Sequence, residues 1–414
     1  MTTRMKVAAA AALSLTLSTR YAAAQTPPAE APATPTPAPV SSASEGTSRT
    51  ATRANVTLSG YVEAFYQWNV NNPANGVTNY RGFDNRHNSV TLSNVVFDAT
   101  GTLGPVTAHV ALQVGHTPES YYLAEPSLGG ASGAGASNAN VWKFIQQATV
   151  AWRAPVGAGL LVAAGVFLSP IGTEGMAIKD QWNWSRSNLF FGLPFYHTGV
   201  RLSYPLSDRL TLSLAGYNGW NSVVDNNDEK SVSVALDYVV TDRVNFHALY
   251  FGGVERPGGA PERDGVLPWR SVFDTYVAVY PTAWLSLMAH ANVGFEPNAF
   301  GTSWWAAGAL YARVRVRPWL YLAARGDVFY EDAARNASGA AANIFWPSSW
   351  VSSQTATVDV RPRDNVSMRL EYRHDQADGD TYFRGTLAAD PMTGAPVANA
   401  RSQDTLTLGM TAWF

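Results

Sequence analysis

From residue 55 to residue 414 the sequence repeats one pattern, in which apolar and polar side chains alternate over segments of about ten to thirteen residues. A period of two puts successive side chains on opposite faces of a β-strand. The pattern therefore predicts an all-β protein with sixteen strands. The predicted segments lie at 56–69, 90–99, 106–114, 143–153, 160–168, 196–205, 210–219, 231–240, 244–252, 272–280, 284–293, 304–317, 319–330, 354–361, 365–375 and 403–414.

The connections between these segments alternate in length. Seven are short and rich in Pro, Asp or Gly, such as Gly101–Pro105 and Pro362–Asn365, and these are typical of tight turns. Eight are mostly long and polar, at 70–88, 116–141, 169–195, 220–230, 253–271, 294–303, 331–350 and 376–401. This alternation predicts a transmembrane antiparallel up-and-down β-barrel of about sixteen strands, with both ends at the short-turn side.

The charges in the predicted strands fall on one face. In segment 304–317 Leu310 and Val314 share one face, whereas Arg313, Arg315 and Arg317 share the other. A lipid-facing Arg or Lys costs about 2–4 kcal/mol at the membrane midplane, so the apolar face is expected to point outward. The charged face is expected to line water, because side chains alone cannot fill a barrel of this width.

Many aromatic residues lie near the ends of the predicted strands. Tryptophan and tyrosine are enriched where a membrane meets water, so these residues are expected to form the two interfacial girdles. They are Trp68, Trp142, Trp152, Tyr204, Trp220, Trp284, Trp304, Trp319, Tyr330, Trp350 and Trp413.

The N-terminus indicates export from the cytoplasm. Residues 1–24 combine the basic Arg4 and Lys6 with an apolar stretch too short to span a membrane, and they end in small residues, which predicts a signal peptide. Residues 25–54 are rich in Pro and predict a disordered periplasmic linker. Residues 55–414 form the predicted barrel, which places the protein in the outer membrane of a Gram-negative bacterium, in contact with its lipid.

The last predicted strand ends on Phe414. Its alternation and terminal aromatic residue resemble the closing strand and assembly signal of bacterial outer-membrane β-barrels, and imply that Phe414 contacts the barrel-assembly machinery. The alternative is an ordinary edge strand.

Composition and motifs argue against several classes of protein. The formal charge of −2 gives no basic surface for nucleic acid, and the lack of cysteine excludes disulfides, thiolate metal sites and a cysteine nucleophile. Neither H-E-x-x-H nor G-x-S-x-G occurs. We therefore predict no enzyme activity, no catalytic residue, no metal and no cofactor.

Five motifs resemble a known family. They are FDNRHNS (Phe83–Ser89), GVFLSPIGTEG (Gly165–Gly175), NWSRSNLFFGLPFYHTGVRLSY (Asn183–Tyr204), YNGWN (Tyr217–Asn221) and DNNDEKS (Asp225–Ser231). Together they are similar to the OmpL-like β-barrel porin family, also called beta-barrel porin-2. The resemblance covers most of the predicted barrel and implies an outer-membrane pore. It implies no catalytic residues.

Two candidate sites follow from the barrel hypothesis. The third long connection, 169–195 (the third loop), carries Glu174, Lys179, Asp180 and Arg186 among aromatic residues, and is expected to fold into the lumen as a constriction. The alternative is a loop packed over the rim.

The second candidate site is a charged inner wall, in which arginines outnumber acids and favour anions. The alternative is an internally paired ladder of charges with little selectivity. The predicted pore-lining residues are Arg313, Arg315, Arg325, Asp327, Asp359, Arg369, Glu371 and Arg373.

Taken together, these features predict a passive, water-filled channel for small hydrophilic solutes or ions, with a mild preference for anions. Two alternatives stay open: a substrate-selective channel for anions or saccharides, and a surface interaction protein that uses the barrel as an anchor. Assembly into a homo-oligomer also stays open.

Overall fold

The computed structural model of the protein describes residues 54–129, 136–256 and 267–414. The predicted signal peptide and the linker up to residue 53 lie outside the described residues. None of the helices in the described part of the chain is long and apolar enough to cross a membrane.

Sixteen strands form a closed antiparallel barrel, so the predicted fold class and strand number are confirmed. Each strand pairs with its neighbours in the chain, and the first pairs with the last. The strands are β1 (Asn55–Asn69), β2 (Val90–Leu103), β3 (Val106–Val114), β4 (Ile145–Ala154), β5 (Leu160–Leu168), β6 (Tyr196–Ser207), β7 (Leu210–Tyr217), β8 (Ser231–Thr241), β9 (Val244–Val254), β10 (Trp269–Thr282), β11 (Leu285–Asn298), β12 (Gly301–Arg317), β13 (Leu320–Asp332), β14 (Trp350–Arg363), β15 (Val366–Ala377) and β16 (Ser402–Trp413).

The barrel closes between β1 and β16. Their register runs from Tyr61 opposite Trp413 to Asn69 opposite Thr405. Beyond the last paired residues, the Phe414 N–H donates to the Gly60 carbonyl at 3.1 Å, and the Gly60 N–H donates to the Phe414 carbonyl at 3.3 Å. Closure matters because lipid cannot pair with the backbone groups of an open edge.

The two faces of the strands have the expected character. Leu310 on β12 is 68% exposed towards lipid, whereas the adjacent Tyr311 is buried inside. On β15 Leu370 points out, and Arg369 and Glu371 point in. The apolar outer band therefore follows from the period-two pattern.

Two of the predicted girdle residues lie elsewhere. Trp142 ends a short helix in the second long connection, and Trp220 lies in the fourth, 4.8 Å from the guanidinium of Arg270. The predicted interfacial position is wrong for both, because each belongs to a connection that folds back on the barrel. Trp152, Trp284 and Trp319 remain exposed near the short turns.

The long connections contain short secondary-structure elements. They are α1 (His116–Tyr121), α2 (Ala139–Trp142), a 3₁₀ turn (Ile178–Asp180), α3 (Asn188–Phe191) and a small pair formed by Ala334–Arg335 and Ala341–Ala342. The 3₁₀ turn and α3 both belong to the third loop, which the barrel encloses.

The outward position of Leu310 yields a test of the strand faces. We predict that Leu310→Arg prevents assembly, because a charge at this depth costs about 2–4 kcal/mol in lipid. Arg315→Leu, on the inner face of the same strand, should assemble. Heat-modifiable mobility of the outer-membrane fraction measures both variants. Equal yields of folded Leu310→Arg and wild-type barrel would contradict the assignment of faces.

Candidate functional site

The third loop lies inside the barrel and follows one side of its wall. All residues from 182 to 190 are buried. In the first half of the loop, the Ile178 N–H donates to Glu63 on β1 at 2.5 Å, and the Gly172 N–H donates to Asp274 on β10 at 3.0 Å. The loop therefore covers the inner wall formed by β10–β16 and β1.

Local interactions give the loop its shape. Ser187 caps α3, because its hydroxyl accepts the Phe190 N–H at 3.3 Å. Glu174 accepts the Ser187 N–H at 3.0 Å and an Arg325 N–H at 2.9 Å. Glu174 thus joins two parts of the loop to each other and to β13.

Wall carboxylates accept backbone N–H groups of the loop. Glu371 accepts from Trp184 at 2.5 Å and from Ser185 at 2.9 Å, and Asp327 accepts from Asn188 at 3.1 Å. A buried N–H group without an acceptor costs about 1–3 kcal/mol, so these carboxylates fix the path of the loop.

Wall arginines donate to backbone carbonyls of the loop. Arg325 donates to the Ser185 carbonyl at 2.5 Å, and Arg369 donates to those of Asn183 and Gln181 at 3.0 and 2.8 Å. Arg373 donates to the Arg186 carbonyl, as does Arg325. Because guanidiniums donate and carboxylates accept, the wall binds both the C=O and the N–H groups of the loop backbone.

These contacts correct the sequence prediction. Arg325, Arg369 and Arg373 lie on the predicted inner face, but each is at most 3% exposed, so the prediction that they line water is wrong. Each also pairs with a wall acid: Arg325 with Asp327 (3.3 Å), Arg369 with Asp359 (3.5 Å) and Arg373 with Asp375 (2.6 Å). Strand periodicity gives the face of a residue but not what occupies the lumen.

The arginines nearer the short turns differ in exposure. Arg315 is exposed and Arg313 is half-buried. Arg361 donates to Asp359 at 2.9 Å and keeps 16% of its side chain exposed. Of the predicted pore-lining arginines, Arg313 and Arg315 therefore reach solvent, and so does the neighbouring Arg361.

The predicted charges of the third loop also divide into two groups. Lys179 and Asp180 pair at 2.9 Å with 29% and 56% of their side chains exposed. Arg186 is buried, donates to the Gly175 carbonyl at 3.1 Å and lies 5.1 Å from the ring of Phe83. Lys179 and Asp180 are therefore available to solutes, whereas Glu174 and Arg186 hold the loop.

The first long connection, 70–89, covers the wall from the long-loop side. Arg81 pairs with Asp84, lies 3.7 Å from Asp375 and donates to Thr405 at 3.0 Å. Burial disfavours the charged form of Asp84, but the Arg81 guanidinium outweighs it and holds the pKa of that carboxyl below its ordinary value. Sequence reasoning missed this pair, although their spacing of three residues was visible.

The remaining inner wall, on β2–β8, is open to solvent near the short turns. His109 and Asp98 pair at 2.6 Å with 22% and 26% of their side chains exposed, and Asp237 is 27% exposed. Arg201 is half-buried and Arg153 is exposed. Towards the long loops this wall becomes aromatic and buried, with His197 stacked 4.4 Å from Tyr217.

Glu63 and Asp274 bind the first half of the third loop, at Ile178 and Gly172, and the predicted set of pore-lining residues did not include them. The alternation of side chains places both residues on the inner face of their strands, and this was the one sign in the sequence that they face the lumen. Their partners are backbone amides of a distant loop, and no spacing in the sequence reveals such partners.

A family model described as "Putative beta-barrel porin-2, OmpL-like" matches residues 55–414. No curated protein matches this chain.

Solved structures of outer-membrane proteins share the fold. The channel DcaP of Acinetobacter baumannii is 12% identical with a TM-score of 0.54, covering 87% of this chain and 97% of that one. An anion-selective porin from Comamonas acidovorans is 12% identical with a TM-score of 0.53, covering 87% and 100%. OmpT of Vibrio cholerae is 10% identical with a TM-score of 0.52, covering 87% and 98%.

The carboxylate contacts yield a prediction about the loop. Glu371→Ala leaves two buried N–H groups without an acceptor, at a cost of about 1–3 kcal/mol. Hydrogen exchange at Trp184 and Ser185 should become roughly 5- to 150-fold faster, since about 1.4 kcal/mol is a factor of ten. Mass spectrometry of peptides from the folded barrel measures this.

Glu331→Ala is the matched control. Glu331 is also a buried wall carboxylate, but it accepts N–H groups from Phe345 and Trp346 in another connection. Its replacement should leave exchange in the third loop unchanged. Equal effects of the two substitutions on Trp184 would show that Glu371 does not hold the loop.

Proposed function

The chain belongs to the OmpL-like beta-barrel porin-2 family and is a passive channel of the bacterial outer membrane, and we propose which part of its lumen conducts and what it selects. Small hydrophilic solutes pass along the wall formed by β2–β8. The third loop and the buried arginines fill the opposite side and set the size limit.

The observation that carries this proposal is the unequal exposure of the two walls. Inward side chains of β2–β8 keep contact with solvent, among them His109, Thr149, Arg201 and Asp237. Inward side chains of β13–β15 that lie a similar number of residues from the short turns, such as Arg325 and Glu371, are buried against the third loop. A water-filled path needs a polar wall that is open to solvent, so we place it along β2–β8.

The exposed charges support a mild preference for anions. Among inward side chains of the strands and the third loop that reach solvent, cations outnumber acids. The cations are Arg153, Lys179, Arg201, Arg313, Arg315 and Arg361, and the acids are Asp98, Asp180 and Asp237. Screening in about 0.15 M salt, where the Debye length is about 8 Å, keeps the preference weak.

Lys179 and Asp180 lie where the third loop faces the solvent side. Their 3₁₀ turn continues into residues bound to the wall, which limits how far it can move. We assign the narrowest part of the path to this turn. Arg186 donates to the Gly175 carbonyl and Glu174 accepts the Ser187 N–H, so these two residues connect the segments on either side of the turn.

The anchor hypothesis has less support. A barrel that only anchors surface loops has no need of exposed, charged inner side chains, and this lumen has both signs of charge in contact with solvent. A substrate-selective channel is the stronger alternative, because arginines and aromatic rings meet near the short turns.

The proposed partners are a second copy of the chain and the assembly machinery. OmpT of Vibrio cholerae, in a form described as a trimer, shares the fold at 7% identity with a TM-score of 0.54, covering 87% of this chain and 99% of that one. We propose a homo-oligomer here as well. Phe414, at the barrel seam and 71% exposed, is the proposed contact for the assembly machinery.

Planar-bilayer recording tests the conducting path. The purified protein should give open-channel steps and, in a salt gradient, a reversal potential of the anion-favouring sign. Deleting 176–188 should increase conductance, because this segment fills one side of the lumen. A deletion of equal length at 386–398, in an exposed connection, is the control and should leave the conductance unchanged.

Insertion without steps at any voltage would contradict the channel and favour the anchor. A conductance unchanged by the deletion of 176–188, in a barrel that remains heat-modifiable, would contradict the role of the third loop.

A further inference from the structure

One arginine of the β2–β8 wall is held between two aromatic side chains. The guanidinium carbon of Arg201 on β6 lies 4.6 Å from the centre of the Phe167 ring on β5. The Nε and Nη2 atoms of Arg201 donate to the hydroxyl of Tyr217 on β7 at 3.2 and 3.1 Å. These three strands are adjacent in the barrel, so the wall itself fixes the position of the guanidinium.

The contacts with Phe167 and Tyr217 leave one edge of the guanidinium open. A guanidinium carries five N–H donors in a fixed planar fork, and the Tyr217 hydroxyl occupies the edge formed by Nε and Nη2. Within residues 54–129, 136–256 and 267–414, no hydrogen bond or ion pair satisfies Nη1 of Arg201, and this atom is not shielded from solvent. The edge formed by Nη1 and Nη2 therefore still has two N–H groups to donate.

Small neighbours leave Arg201 accessible from the lumen. Arg201 is half-buried, and the residues directly opposite it in the register are Ala163 on β5 and Ala215 on β7. Gly165 and Gly199 are paired beside it, so neither position adds a side chain that could cover the guanidinium. A solute that moves along the β2–β8 wall can therefore contact Arg201.

The nearby acids of this wall do not neutralise Arg201. Asp98 pairs with His109 at 2.6 Å, and Asp237 pairs with His247 at 2.9 Å. In contrast to the buried arginines of the opposite wall, Arg201 is thus a fixed positive charge without a carboxylate partner in the described part of the chain.

We propose that Arg201 forms a binding site for a small carboxylate on the conducting wall, with Phe167 and Tyr217 as positioning residues. The site rests on the proposed path along β2–β8 and gives that path a solute class. The two oxygens of a carboxylate match the two N–H groups of the open edge, which a spherical ion such as chloride does not. Because the guanidinium is fixed before a ligand arrives, little rotamer freedom is lost on binding.

Benzoate is the probe, because it carries one carboxylate and is large enough to interrupt the current while bound. We expect benzoate, added to full-length protein in a bilayer in KCl, to cause brief closures. Arg201→Gln should raise the half-blocking concentration about tenfold or more, because it removes charge-assisted hydrogen bonds. Benzyl alcohol, a neutral molecule of similar shape, should cause no closures.

Two further variants separate the paired N–H groups from the charge and from the hydroxyl that holds them. Arg201→Lys keeps the charge but not the planar fork, so it should weaken the block and leave the reversal potential in a KCl gradient unchanged. Tyr217→Phe keeps the ring and removes the hydroxyl, so it should also weaken the block, by less than Arg201→Gln, at an unchanged reversal potential. Equal block by benzoate in wild type and Arg201→Lys would overturn recognition by the fork.

Arg153→Gln is the matched control. Arg153 is an exposed arginine of the same wall, and within the described residues no ring or carboxylate holds it. The substitution removes the same charge and should leave the half-blocking concentration within about twofold of wild type. An equal loss of block in Arg153→Gln and Arg201→Gln, or no loss in Arg201→Gln, would overturn the site. Heat-modifiable mobility shows that each variant has folded.

The outcome separates this site from the channel itself. Clear steps in KCl without benzoate block would overturn the carboxylate site and leave the channel in place. If no steps appear, calorimetric titration of the detergent-solubilised barrel with benzoate still decides. Heat of binding that Arg201→Gln abolishes and Arg153→Gln retains supports the site, and its absence in wild type overturns it.

Discussion

Backbone groups of the third loop bind charged side chains of the barrel wall, and the rest of the interior depends on this contact. Glu371 and Asp327 accept N–H groups from 184–188, while Arg325, Arg369 and Arg373 donate to carbonyls of 181–186. Each partner alone would be costly to bury, because a buried charge or peptide group needs compensation. Together they let a charged wall and an irregular loop exclude water from one side of a wide barrel.

The lumen is therefore asymmetric. One side is a packed interior in which Trp184 and Arg369 are almost fully buried. The other side keeps exposed polar residues near the short turns, and solutes are proposed to pass there. Under that proposal, selectivity depends on the charges left exposed, including Arg313 and Arg361, rather than on the buried arginines of the wall.

The sequence was sufficient to predict the barrel because each strand carries its own evidence. Alternation places Leu310 outside and Arg325 inside, and the turn lengths give the antiparallel order. It was less informative about β2, where the register with β1 shifts between Glu63 and Ala64 and the buried residues Ser93 and Asn94 are consecutive. A bulge of this kind breaks the period of two.

Contacts inside the lumen could not be predicted in the same way. Arg369 and Asn183 are far apart in the sequence, and the bond between them uses a backbone carbonyl that any residue would supply. The same holds for Glu63 and the Ile178 amide. The alternation along each strand predicts that Arg369 and Glu63 point inward, but their burial depends on where the third loop folds.

The position of the third loop is the central claim, and cross-linking tests it most directly. The natural chain has no cysteine, so introduced pairs are unambiguous. In the structure Asn183 donates to Thr357 on β14 at 2.7 Å, while Ser203 on β6 lies eight strands away around the barrel. A short bifunctional thiol reagent should link Asn183→Cys to Thr357→Cys in the folded, membrane-embedded protein, and should not link Asn183→Cys to Ser203→Cys. Failure of the first pair, or equal linking of both, would contradict a loop held against the arginine side of the lumen.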